Sequence, residues 1–518
     1  MTRVLFDGRA YELDAGESVL DGLVRGGADV TFSCRRGTCH SCMLKAERGD
    51  PGDASRRGLR PSLVEHGYFL PCCSVPEERL WVARPDSADL TTRLVLAERS
   101  ELAPGVVRLL FEPETNVQWR AGQFANLVHP TSGASRSYSL ASIAECDYFL
   151  EFHVKVIEGG ALSPWLASEL AVGDGLVMQG PMGRCTYDTS APDASLVLVA
   201  TGTGLAPLIG VARDALQMHG HTGPIRLVHC AADAAGLYAD EVLRGLDDAY
   251  ANFTYVGVAD GRDVVDVAFE HGDDFEGTRM HVAGHPDMVE QARIRAVSLG
   301  VRRADILADP FDSPVPYTPD DAATLRSIEP DPDLWAALDH GKGLSAILQD
   351  FYGQAFEDER LAPFFHHVTK RRAIEKQYAF LRLIITGGGQ FLGMSPFNAH
   401  HWMVISDELF DYREALLDAC MERWGLPKPM MRRWAALHER YRRAIVKNAP
   451  RGLLVDGVEV SKTGWTEETI EIATVCDGCC TEMLPGTTGR LDKRTGQLFC
   501  AACASRDLRL SDALPVVD

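Results

Sequence analysis

Through the middle of the chain, apolar positions come in short runs broken by turn residues. The segments TRLVLAERS, VVRLLFEP and YFLEFHVKV alternate apolar and polar residues over a strand's length, and the stretch 89–189 predicts an antiparallel β-barrel. The pattern changes at SLVLVATGTGLAPLIGVA, Ser195–Ala212, where a continuous apolar run meets a Thr-Gly-Thr-Gly break and continues at helical spacing. That reads as strand, turn and helix rather than a membrane span. The later runs PIRLVHCAAD and RMHVAGHPDMV alternate with helical text, so 190–311 predicts a parallel, doubly wound sheet. Residues 312–334 hold five prolines and many acids and predict an exposed, semi-stiff connector. Beyond it LSAILQDFYGQAF, RRAIEKQYAFLRLII and DELFDYREALLDACMERWG place apolar residues at i, i+3, i+4, which predicts an all-α domain over 335–450.

Length and charge narrow the classes. A chain of 518 residues predicts three or four domains. The net charge of −21 argues against a nucleic-acid binder. The opening MTRVLFDGRA has no apolar core of a signal peptide, so the expected location is cytoplasmic, without membrane attachment. In such a setting the 14 cysteines, most of them in two clusters near the ends, read as metal ligands rather than disulfides.

The first cluster is Cys34-x4-Cys39-x2-Cys42, followed about thirty residues later by GYFLPCCSVP. Four thiolates at this spacing suit a 2Fe–2S cluster, and an x4 gap is unusual for zinc. Gly37 sits inside the loop, where the backbone must wrap the cluster. Residues 1–88 resemble plant-type ferredoxins, an α+β (β-grasp) module. In that family the last ligand lies in L-x-C-Q, which here reads Leu70-Pro71-Cys72-Cys73; the resemblance implies Cys72, with Cys73 as the alternative.

Two motifs mark the barrel: Arg136-Ser137-Tyr138-Ser139, and FHVKVIEGGALSPWL with Gly160 and Ser163. Arg136 suits a pyrophosphate, Tyr138 a flavin face, Ser139 a flavin edge, and Gly160 and Ser163 open a helix whose N-terminus suits phosphate. In the next domain Gly202-Thr203-Gly204 is a Gly-rich turn at a helix N-terminus, though not a G-x-G-x-x-G fingerprint. Together with G-T-G-x-A-P and G-H-P-x-M, these motifs resemble the ferredoxin–NADP reductase superfamily, and residues 1–311 resemble the reductases of ring-hydroxylating oxygenases. The resemblance implies FAD on Arg136, Tyr138, Ser139, Lys155, Gly160 and Ser163, and NAD(P)H on Gly202, Thr203, Gly204, Pro207, Gly284 and Pro286. Ala283 stands where the family often has a cysteine, and Phe311 fits the aromatic that covers the flavin. No Lys or Arg occurs from Cys230 to Tyr238, and Asp233 would repel a 2′-phosphate, so the expected donor is NADH rather than NADPH.

The helical segment resembles a truncated haemoglobin, on FYGQAF followed by DERLAPFF, on TGGGQFLG and on AHHWMVIS. The resemblance implies haem b on His400, with His401 as the alternative. It also implies Tyr352 and Gln377 as distal polar groups for O2, Phe365 packed on haem and Ala373 at the distal gate. Ala373 and Gln377 are i, i+4 and share a face.

At the C-terminus, within 451–518, Cys476-x2-Cys479 is followed after 20 residues by Cys500-x2-Cys503, around LDKRTGQLF, which reads as a hairpin. Paired CxxC motifs predict a structural Zn2+ ribbon, with rubredoxin-like iron as the alternative and a protein partner as a further use. The whole is expected to be a multidomain oxidoreductase moving electrons from NADH through FAD and the 2Fe–2S cluster to haem. Flavohaemoglobins, which join a globin to a flavin reductase, carry out nitric oxide dioxygenation, and that reaction is the expected end use. Donation to a separate oxygenase and haem-based sensing of O2 or NO are the alternatives.

Overall fold

The computed structural model describes residues 2–507, apart from 14–16, 31, 33–36, 38–39, 41, 58, 60, 86–90, 116, 273, 312–316, 366–367, 389–390, 392, 448–450, 456, 461–464, 471–473, 480 and 493–496. The chain forms two compact units, Met1–Pro314 and Val315–Asp518.

The first unit opens with a five-stranded sheet. Strands β1 (Thr2–Phe6), β2 (Arg9–Leu13), β3 (Leu44–Arg48), β4 (Tyr68–Phe69) and β5 (Leu80–Ala83) lie in the order β2-β1-β5-β3-β4, with β1 and β5 parallel. Val4 and Phe6 point inward at the strand period of two and meet Leu20 and Leu23 of the helix Val19–Arg25. The Ser18 hydroxyl caps that helix by accepting from the Asp21 N–H at 3.1 Å.

Next come β6 (Thr91–Ala103), β7 (Val106–Pro113), β8 (Phe124–Val128), β9 (Ser135–Ser139), β10 (Leu150–Lys155) and β11 (Gly175–Met182). They form an antiparallel sheet in the order β10-β7-β6-β11-β8-β9. A bridge between Leu140 and Phe152 joins its two edges and closes the barrel. Leu94, Leu96, Leu109, Phe111, Leu127 and Phe152 fill the interior.

The unit ends in a parallel sheet of β12 (Leu196–Thr201), β13 (Ile225–Cys230), β14 (Phe253–Val258), β15 (Arg279–Gly284) and β16 (Ile306–Pro310), in the order β14-β13-β12-β15-β16. The order reverses between β12 and β15. The crevice at their carboxyl ends is therefore the switch point where such sheets bind ligands.

The second unit packs its helices on Leu344, Ile347, Leu348, Phe351, Leu381, Ile384, Ile385, Leu417 and Trp434. Thr369 caps the helix Lys370–Thr386, which Gly387 ends at φ +65°. Ser406 caps Asp407–Trp424, and Gly425 ends it. The expected connector 312–334 differs from an exposed linker in its described part. Asp321–Arg326 is helical, and Leu325 and Ile328 pack on the helical core. Arg443 covers the Tyr317 ring at 3.9 Å. Pro332 begins the helix Pro332–Ala337, and Leu325, Ile328 and Leu334 give the described part of the segment an apolar stripe to bury.

At the C-terminus β17 (Leu454–Val455) pairs with β18 (Val458–Glu459). Strands β19 (Trp465–Thr469), β22 (Thr488–Asp492) and β23 (Leu498–Cys500) form one sheet, and β20 (Thr474–Val475) pairs with β21 (Glu482–Met483). The antiparallel pairing of β22 and β23 is the hairpin expected from LDKRTGQLF. Among the described residues no helix is long and apolar enough to cross a membrane.

Candidate functional site

The ferredoxin-like sheet brings three of the candidate thiols together. Cys42 is buried beside Cys72, close enough that it is the chief cause raising the Cys72 thiol. Cys72 and Cys73 share the 3-10 turn Pro71–Cys73, with their sulfurs 3.7 Å apart. Gly37 has φ +75°, and a Cβ there would fall 2.8 Å from the Cys73 sulfur, so this close approach needs a glycine. The neighbouring sulfurs and this glycine fit a cluster. Cys34 and Cys39 lie outside the described residues.

On the barrel, Arg136 is exposed on β9 and donates to the Ser135 carbonyl at 2.7 Å. Tyr138 is half-buried, and desolvation pushes its phenol up to about 12, so it stays neutral. The Ser139 hydroxyl donates to Asp309 at 2.9 Å, joining the barrel to β16. Lys155 ends β10, exposed. The Ser163 hydroxyl accepts from the Ile157 N–H at 3.0 Å, and a Cβ on Gly160 would meet that oxygen at 3.1 Å. The helix Ser163–Ser168 has no side-chain cap, so its first N–H groups are open to an anion. An open helix start, a half-buried tyrosine and an exposed arginine fit a flavin dinucleotide.

Gly202, Thr203 and Gly204 form a 3-10 turn at the carboxyl end of β12, and the helix Leu205–Arg213 follows without a side-chain cap. Gly202 has φ +53° with open space where a Cβ would be, whereas a Cβ on Gly204 would lie 2.2 Å from the Ala283 oxygen. Gly284 is similar, its Cβ position being 2.3 Å from the Thr201 hydroxyl. These glycines let the β12 and β15 turns approach at the switch point. Pro207 is buried in its helix, Ala283 is fully buried, and Pro286 begins the helix Pro286–Ser298. The cradle fits a nucleotide. Asp233 is exposed after β13, where its carboxylate accepts from the Gly236 N–H at 2.9 Å. Phe311 is 38% exposed, and its N–H donates to the Gly284 carbonyl at 2.8 Å, which places it between the Ser139–Asp309 link and the nucleotide turn.

Two supporting residues escaped the motif analysis. His229, fully buried, donates from Nε2 to the Gly202 carbonyl at 3.1 Å, and burial pushes its imidazole down to about 4. The Thr201 hydroxyl accepts from the His285 N–H at 2.9 Å. A polar residue near the end of an apolar strand (His in RLVHC, Thr in LVLVAT) was the available signal.

In the helical unit, Tyr352 is buried, with its ring edge-on to Phe365 at 5.8 Å; Phe365 stacks on Phe356 at 4.5 Å. Ala373 is buried and Gln377 half-buried on the helix Lys370–Thr386. His400 ends the helix Pro396–His400, and its Nδ1 lies 2.7 Å from the Pro396 carbonyl. Only a protonated Nδ1 can make that bond, so the lone pair is on Nε2. Burial pushes His400 down to about 4 and keeps it neutral. The Arg413 charge acts on both His400 and Tyr352. A neutral imidazole with its lone pair on Nε2 suits a metal ligand, and Tyr352, Phe356 and Phe365 form one aromatic cluster. His401 is fully buried and bonds the Asn398 carbonyl through Nδ1 at 2.6 Å.

Cys476, Cys479, Cys500 and Cys503 converge, with their sulfurs all within 4.8 Å of one another. The Cys479–Cys500 separation is 3.8 Å, the edge of a tetrahedron with metal–sulfur bonds of about 2.3 Å. The Cys500 N–H donates to the Cys476 sulfur at 3.2 Å. Hydrogen bonds from the Thr481 hydroxyl and backbone hold the Cys479 thiol down to about 6. The set fits a metal ion.

Comparison with known proteins covers the first unit. Residues 4–77 match the 2Fe-2S iron-sulfur cluster binding domain, 93–187 the oxidoreductase FAD-binding domain and 198–293 the oxidoreductase NAD-binding domain. The chain is 34% identical over 266 residues to the reductase subunit of an aromatic O-demethylase from Amycolatopsis sp., covering 48% of this chain and 78% of that one. It is 28% identical to the reductase component of phenol 2-monooxygenase from Pseudomonas sp., covering 61% and 94%. The solved ferredoxin reductase of carbazole 1,9a-dioxygenase matches with a TM-score of 0.41 and 19% identity, over 60% of this chain and 98% of that one.

Proposed function

The chain belongs to the flavin and iron–sulfur reductases of the ferredoxin–NADP reductase superfamily and is an NAD(P)H-dependent oxidoreductase, and from this premise we propose that its own helical unit receives the electrons. The terminal reaction in this reading is nitric oxide dioxygenation, NO + O2 + e− giving nitrate. When bound, flavin takes a hydride and gives electrons singly, the cluster carries one at a time, and haem binds O2. Tethering acceptor to donor keeps their effective concentration high.

The observation that carries this reading is the His400 site: a neutral imidazole with its Nδ1 proton committed to Pro396, in the same unit as a buried Tyr352. His400 offers Nε2 to iron. Tyr352 stays protonated, because desolvation raises its phenol, and so keeps an O–H to donate; Gln377 supplies an amide. In the reductase, His229 holds the Gly202 turn open to a phosphate, and Asp233 disfavours a 2′-phosphate, which favours NADH. The FAD contacts are assigned to Arg136, Tyr138, Ser139, Lys155, Gly160 and Ser163. The cluster ligands are assigned to Cys34, Cys39, Cys42 and Cys72, and the structural metal of the C-terminal cysteines is zinc.

A second reading, donation to a separate oxygenase, is favoured by the names of the relatives, which are reductase components. The two separate on His400→Ala. NADH-driven NO consumption under air should be lost while NADH reduction of ferricyanide is unchanged. NO consumption at the wild-type rate in a haem-free His400→Ala protein would remove the dioxygenase reading.

A further inference from the structure

The C-terminal segment is tied to two of the helices that carry proposed haem residues, Lys370–Thr386 and Pro396–His400, through different parts of itself. On one side Lys376 donates from Nζ to Asp477 Oδ1 at 2.6 Å, and the Arg372 guanidinium lies 3.8 Å from the same oxygen. Lys376 precedes Gln377 in the helix Lys370–Thr386, and Arg372 precedes Ala373. Asp477 lies inside the Cys476–Cys479 turn and is only 8% exposed. Its Oδ2 accepts from the Leu498 N–H at 2.9 Å, and its own N–H donates to the Leu498 carbonyl at 2.9 Å. Asp477 is therefore fixed to β23 just ahead of Cys500, and its remaining oxygen points at the helix.

On the other side, Asn398 pairs with the Leu454 backbone in both directions, donating at 2.9 Å and accepting at 2.8 Å. The Arg451 N–H donates to the His401 carbonyl at 2.7 Å. This attachment uses the β17–β18 hairpin and none of the four cysteines.

We propose that metal loading of the four-cysteine site holds the Lys370–Thr386 helix in place through the Asp477–Lys376 ion pair, so that Lys376 and Asp477 are positioning residues for Ala373 and Gln377. Without an ion the turn between Cys476 and Cys479 is held by a few hydrogen bonds to Leu498 and Thr481, and a bound ion adds folding energy to that turn. Asp477 lies inside that turn, so added order in the turn holds its carboxylate more firmly. A buried carboxylate facing an ammonium then passes that order to the helix. The Asn398–Leu454 pair lies outside the cysteine turns, so the effect is confined to the helix Lys370–Thr386. The effect on ligand binding rests on the haem reading above; the link between metal and helix stands without it.

The test is amide hydrogen exchange on the full chain, without added haem, before and after zinc is added to reduced, metal-free protein. Zinc should slow exchange of the 370–386 amides by about three- to tenfold, the range of a charge-assisted bond discounted for partial exposure, and should leave 396–400 unchanged. In Lys376→Met, which leaves the cysteine module intact, zinc should still protect 476–503 but not 370–386. Lys376→Arg should restore the response, and Asp477→Asn, which keeps an acceptor for Leu498, should lose it. Equal zinc protection of 370–386 in Lys376→Met, or no protection in the wild type, would overturn the proposal. With haem added, zinc should slow O2 dissociation in the wild type and not in Lys376→Met. Unchanged O2 kinetics alongside the predicted exchange pattern would keep the metal–helix link and remove the distal roles of Ala373 and Gln377.

Discussion

His400 donates its Nδ1 proton to the Pro396 carbonyl, so replacing it removes both that bond and the nitrogen proposed to bind iron. His400→Ala should abolish haem retention, read as loss of the Soret band after purification. Tyr352→Phe and Gln377→Leu should keep haem and speed O2 dissociation about ten- to a hundredfold, the worth of a charge-assisted bond of roughly 1.5–3 kcal/mol. Unchanged off-rates in both would remove the pocket. Cys72→Ser should eliminate the iron–sulfur spectrum and Cys73→Ser should not; the reverse pattern would exchange their roles. At this scale the sequence was informative where spacing carries the chemistry. The four C-terminal cysteines and the Cys42–Cys72 neighbourhood could be read from C-x2-C and C-x4-C-x2-C. The partners of His229, Thr201 and Asp477 could not be read, because folding alone brings each near; the strand-end position of His229 and Thr201 was the one signal they carried.

Among elements, the nucleotide crevice depends on how closely β12 and β15 end together. Gly204→Ala places a carbon 2.2 Å from the Ala283 oxygen and must push the turns apart. It should cost about 1–3 kcal/mol of stability and weaken NADH binding, measured as a raised KM with ferricyanide as acceptor. The same sheet should be acid-sensitive. His229 on β13 and His281 on β15 are buried, and burial pushes both down to about 4 from 6.5. The unfolded chain therefore binds more protons below pH 6.5. Stability from these histidines is complete above that value and falls as pH drops toward 4, by about 2 kcal/mol each at pH 5. Urea unfolding at pH 7 and pH 5 checks this, and a flat response would show that these imidazoles are not held neutral. Periodicity was enough for the strands and helices. It failed at residues 317–334, where proline count suggested an exposed strap and the apolar stripe Leu325, Ile328, Leu334 instead packs on the helical core.

Over the whole molecule, the reductase identity of the first unit is set by three domain matches, whereas the acceptor is a proposal resting on residues of the second. Cofactor preference gives one check at this scale. Asp233→Arg should shift the preference toward NADPH by supplying a 2′-phosphate partner, measured as a changed ratio of kcat/KM for the two nucleotides. A wild type already preferring NADPH would contradict the role given to Asp233. The acceptor itself is tested most directly by anaerobic stopped-flow of the full chain mixed with NADH, with the flavin, iron–sulfur and haem bands followed separately. The account predicts that all three bands are reduced at a rate independent of protein concentration, with haem last. Flavin and cluster bleaching while the haem band stays oxidised, with an external acceptor still reduced, would contradict it.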